Sequence, residues 1–182
     1  MYARNSLRQQ SRRMAFCGLM AALGTTLMLL GGLIPLTTFA CPMLAIITMM
    51  PVVFEYGPKT ALVTYAAVAL VTLFAAPDKE LAMFFAALGY YPALRPTLDK
   101  IHNRLLRTLA KVGIFSAAMV IMYAILIYLF RLDAIVEEFS VTSTGIMVGL
   151  LVLGDLTFLF FDRALDLLAI LYEKRIRKRL FR

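Results

Sequence analysis

Pro77 to Pro96 reads PDKELAMFFAALGYYPALRP. The stretch packs an acid-rich cluster (Asp78, Lys79, Glu80), an apolar run closed by Tyr90 and Tyr91, and the basic Arg95 into a length about equal to one membrane crossing. Charge marks both ends. If the Asp78 end faces outward and the Arg95 end inward, the distribution of lysine and arginine sets the direction of every other segment.

Composition assigns the class. The 182 residues are 62% hydrophobic and 16% charged, with a mean hydropathy of +0.82, and the apolar runs outlast those of a soluble core. An integral membrane protein is expected. The net charge of +8 does not imply nucleic acid, because the bases lie between and beyond apolar runs and no nucleic-acid reading module is present. Basic loops beside an anionic inner leaflet account for it. Cys17 and Cys41 are too few for a metal or disulfide framework and read as packing residues.

In chain order, residues 1–13 form a basic tail without an acid. The apolar run from Met14 to about Ile34 is too long for a signal-peptide core and lacks a following A-x-A site, so it reads as helix 1. Pro35, Pro42 and Pro51 interrupt the next segment, 35–57. Its length alone would allow a re-entrant loop. Placing both basic ends and the basic segment 95–111 on one side requires an even number of crossings between, which makes it a full helix 2. Helix 3 is then expected at 60–76, helix 4 at 80–94, helix 5 at 111–130 and helix 6 at 141–161.

All of the 19 lysines and arginines except Lys79 and Arg131 then fall on the inner side. Basic loops resist translocation, so this asymmetry predicts an all-α bundle of six transmembrane helices with both termini cytoplasmic. Residues 14–162 would form the membrane domain and 163–182 a basic cytoplasmic tail. A multi-pass protein of a bacterial cytoplasmic membrane is the expected setting.

Catalytic patterns do not assemble. Gly57-Pro58-Lys59-Thr60 has proline where a P-loop needs glycine, and Val52 where it needs the upstream glycine. The single histidine, His102, supports neither a catalytic triad nor a zinc cluster. Glu137 and Glu138 read as a solvated acidic loop. No enzyme activity, cofactor or metal is expected. On helix 1, Gly18 and Ala22 stand four apart, as do Cys17, Ala21 and Thr25. Such spacing allows close helix approach, either within the bundle or against a separate membrane subunit.

The size, the six-helix layout and the opening RRMAFCGLMAALGTTLMLLGGLIPL resemble the substrate-binding S component of energy-coupling factor (ECF) transporters. That resemblance implies capture of a vitamin-like micronutrient from outside, with energy supplied by a transmembrane T subunit and ATPase subunits. The family contacts its T subunit through an alanine-x-x-x-alanine pattern on helix 1, for which Gly18 and Ala22 are the nearest match here. It places the ligand under the first outer loop. This points to Thr37, Thr38, Asp78, Lys79, Glu80 and Arg131. Outer acids outnumber outer bases, which favours a cationic or zwitterionic ligand. Helix-end charges solvated by water, with an acid at a helix N-terminus, are the plainer explanation of the same residues.

Asp155 is the one acid well inside a span, about 21 Å along helix 6. A carboxylate there must be neutral, paired or hydrated. It is a candidate coupling group or an interhelical packing contact. The tail bases Lys174, Arg175, Arg177, Lys178 and Arg179 are expected to meet anionic lipid. Two other classes stay open: a structural or regulatory membrane protein, and a small cation-coupled carrier using Asp155.

Overall fold

The computed structural model describes residues 2–33, 39–130, 144–172 and 174. Every element among them is helical. Four helices are long and apolar enough to cross a membrane: Arg8–Gly31, Ala40–Ala75, Arg104–Leu129 and Gly145–Leu171. Large apolar side chains such as Val63, Phe74 and Leu129 stand exposed on them, as expected where the surrounding solvent is hydrocarbon. The chain divides into two compact units, Met1–Thr97 and Leu98–Arg182.

In the first unit, α1 spans Tyr2–Gly31. It begins well before the expected Met14, because the basic flank is rich in arginine and glutamine, contains no glycine or proline, and so continues the helix. At 1.5 Å per residue α1 is about 45 Å long, more than a ~30 Å hydrocarbon core requires.

The element α2, Ala40–Ala75, is broken at Gly57, whose φ of 82° and ψ of 170° are not helical. A positive φ is cheap only for glycine. Pro58 then opens the second limb, where its missing N–H is no loss. The contacts show that the limbs double back. Gly24 of α1 lies against Thr48 and Met49 of limb 40–56 and also against Val68 of limb 58–75. In one straight helix Thr48 and Val68 would be about 30 Å apart.

Limb 40–56 is antiparallel to α1, with Cys41 against Gly31 and Tyr56 edge-on to Phe16 at 5.7 Å. Limb 58–75 returns parallel to it: Thr60 accepts a hydrogen bond from Arg13, and Pro77, just past the limb's end, meets Gly32. The two limbs correspond to the expected helices 2 and 3. Each is about 25 to 27 Å long.

The opening stretch forms two short helices, α3 (Lys79–Leu88) and α4 (Tyr91–Leu98). The continuous helix expected over 80–94 is interrupted at Gly89-Tyr90. Pro92 has no N–H to offer the Leu88 carbonyl. A Cβ on Gly89 would sit 2.7 Å from the Tyr65 ring, and the Tyr65 hydroxyl donates to the Ala86 carbonyl. Leu81 near the start packs by Gly31, while Ala93 joins Val52 and Ala61 in a cluster flanked by Phe16, Cys17 and Met20. The broken pair therefore runs alongside the 16–31 part of α1 in the opposite direction.

The second unit is a helical hairpin. Its first arm, α5, spans Arg104–Ile125, is capped by Asn103, and continues through a wider turn at Leu126–Phe130. The second arm, α6, spans Thr144–Leu171. Phe115 and Phe158 stack at 4.6 Å, and the pairs 111/162 and 116/155 make the arms antiparallel. Relative to the expected 111–130 and 141–161, α5 starts earlier and α6 runs about ten residues further.

Candidate functional site

Asp78, Lys79 and Glu80 lie half-buried at the junction of α2 and α3. Asp78 is the N-cap of α3: its Oδ1 accepts from the Glu80 and Leu81 amides at 2.9 and 3.4 Å. Lys79 turns the other way. Its Nζ donates to the Leu73 and Ala76 carbonyls at 3.1 and 3.0 Å, closing the C-terminal end of α2 where a cation is electrostatically welcome. Both polar groups tie a tight corner together. Glu80 has a partner as well. Thr37, Thr38 and Arg131 lie outside the described residues.

Gly18 and Ala22 occupy the outward face of α1 and are exposed. Nothing lies within 4 Å of where a Gly18 Cβ would stand. Of the two overlapping small-residue registers, Cys17, Ala21 and Thr25 are partly buried, whereas Gly18 and Ala22 are left open. The shallow strip is bordered by exposed Met14, Leu19 and Leu23.

Asp155 accepts a hydrogen bond from the Ser116 hydroxyl at 2.8 Å, across the α5–α6 hairpin. One turn towards the basic end, Phe115 stacks on Phe158. Further along, Lys111, only 5% exposed, places its Nζ 2.9 Å from both Asp99 and Asp162. Sequence reasoning counted Lys111 merely as an inner charge. The available signal was its position at the very start of expected helix 5, opposite Asp162 just past the end of expected helix 6.

Around this ion triad opens a cleft of about 740 Å³, with Arg104, Arg107, Arg163 and Asp166 on its polar sides and Leu156, Leu159 and Phe160 on its apolar wall. Arg13 is a second polar anchor, at the α2 turn. It donates to Thr60 and stands 5.9 Å over the Tyr56 ring, a cation–π distance. Among the described residues no group of His, Cys, Asp or Glu converges as a metal site. Cys17 and Cys41 are free thiols. No family model matches the sequence, and neither a curated protein nor a solved structure is similar to it.

Proposed function

We propose that the chain is the membrane-embedded substrate-binding subunit of an ECF-type uptake transporter for a vitamin-like micronutrient, energised by partner T and ATPase subunits. The observation that carries this reading is the open strip on α1. Gly18 and Ala22 turn away from the bundle, with empty space over Gly18, so their small size is not used for packing within the first unit. A surface that lets another helix approach closely fits a separate membrane partner.

On this reading the two limbs of α2 and the broken pair α3–α4 are each one crossing. With α1, α5 and α6 they give six, and both termini are cytoplasmic. Ligand enters at the end carrying Asp78. The capping work of Asp78 and Lys79 assigns them to shaping that end. The cation-carrier alternative needs Asp155 as a titrating group, whereas the Ser116 bond at 2.8 Å is already accounted for by packing between the two arms.

The test is co-purification in mild detergent with the T and ATPase subunits of the same cell. Gly18→Leu and Ala22→Leu, which fill the strip without touching the bundle, should abolish the complex while leaving the isolated chain folded. Retention of the complex in both variants would remove the docking role. Purification of the chain alone, with ion-gradient-driven uptake into proteoliposomes, would favour the carrier. If neither a complex nor a bound small molecule were found by mass spectrometry, a structural or regulatory protein would be favoured.

A further inference from the structure

We infer that the cleft at the basic end of the α5–α6 hairpin is a phosphate-binding site, suited to the headgroup of an anionic phospholipid. The guanidinium groups of Arg104, Arg107 and Arg163 line it and, among the described residues, pair with no carboxylate. The lining carries four bases (Arg104, Arg107, Lys111 and Arg163) against three acids (Asp99, Asp162 and Asp166), so positive charge is left over. Asp99 and Asp162 both pair with Lys111.

The placement is electrostatically costly without a guest. Arg104 and Arg107 sit in the first turn of α5, where the helix dipole is positive and disfavours cations. They also share a face with Lys111, three and four residues apart, so like charges repel. An anion held between the guanidinium forks reverses each of these terms, and arginine matches the geometry of phosphate oxygens.

Depth argues for a lipid source. Ser116–Asp155 and the stacked phenylalanines lie within the apolar part of the hairpin, and Lys111–Asp162 closes it. Residues 104–110 extend about 10 Å beyond that closure, enough to cross the headgroup layer of about 5 to 8 Å on one side of a bilayer. The apolar wall supplies the complementary surface: Phe160 is 76% and Leu156 49% exposed, positioned for acyl chains below a headgroup. The inference requires only that the hairpin be embedded in a membrane, and holds whether or not the chain transports a nutrient.

The experiment titrates the purified full chain, in neutral detergent, with phosphatidylglycerol, phosphatidylcholine or inorganic phosphate, and reads bound species by native mass spectrometry. Phosphatidylglycerol should bind in preference to phosphatidylcholine. R107Q should weaken it about fivefold and R104Q/R107Q/R163Q roughly a hundredfold, the worth of one and three surface arginines. K59Q removes the same charge from the first unit, where Lys59 is exposed, and should leave binding unchanged. Inorganic phosphate that binds with the same dependence on Arg107 supports the site with a soluble source. Equal binding by R107Q and wild type, or equal weakening by K59Q and R107Q, would overturn it. If the triple variant fails to fold, R107Q and R163Q singly decide the matter.

Discussion

Lys111 shows how much one side chain can determine. Its ammonium is shared at 2.9 Å between Asp162, whose side chain is 11% exposed, and Asp99, at 40%. Solvent screens the Asp99 leg, so most of the coupling belongs to the buried pair. Lys111→Met removes the buried ion-pair partner of Asp162 and should destabilise the hairpin by about 3 kcal/mol, whereas Lys111→Met with Asp162→Leu should recover most of the loss. Chemical unfolding of the detergent-solubilised protein, wild type against single and double variants, checks both. Asp155→Asn keeps an acceptor for Ser116, so its stability should change by less than about 1 kcal/mol. A large loss of transport with unchanged stability would restore a coupling role to Asp155. Asp78→Ala removes an N-cap that serves two amides and should cost about 1 kcal/mol, read in the same unfolding assay.

At the level of the element, Gly57 turns the 36 residues of α2 into a hairpin. Two crosslinks test this in a C17A/C41A background. Gly24 has neighbours on both limbs, so G24C should form a disulfide on mild oxidation with T48C and, separately, with V68C. A straight α2 could satisfy only one of them. Gly57→Val should be destabilising by about 1 to 3 kcal/mol, because a β-branched residue is held at positive φ only with strain. The parity of basic segments required a full crossing over 35–57 before helix 3 at 60–76, which puts a turn between them. The same reasoning missed the break at Gly89-Tyr90, because Tyr65, whose ring occupies the space beside Gly89, comes from a different limb.

For the molecule as a whole, the expected membrane character is visible in four long apolar helices, and the proposed topology adds a count of six with both ends inside. Cysteines introduced singly at Arg8 and Lys174 should react with a membrane-permeant maleimide and stay protected from an impermeant one in intact cells. Labelling of either by the impermeant reagent would revise the topology. Of the candidate ligand residues, the sequence marked the charged corner at Asp78–Glu80 but not its job. Capping distances are set by a turn only a few residues long, whereas a pocket depends on what several helices bring to the same end.

Hydropathy, the distribution of lysine and arginine, and the spacing of proline and glycine determined by themselves that this is a helical membrane protein and about where its helices lie. They suffice because insertion into a bilayer depends on the local transfer energy of short segments. Only the tertiary structure decided that Gly18 and Ala22 face outward while Cys17 and Ala21 turn in, that α2 folds back on α1, and that Lys111 sits between two aspartates. Those outcomes depend on which surfaces of separate helices meet, and pairing between segments as far apart as 111 and 162 is not encoded in either segment alone.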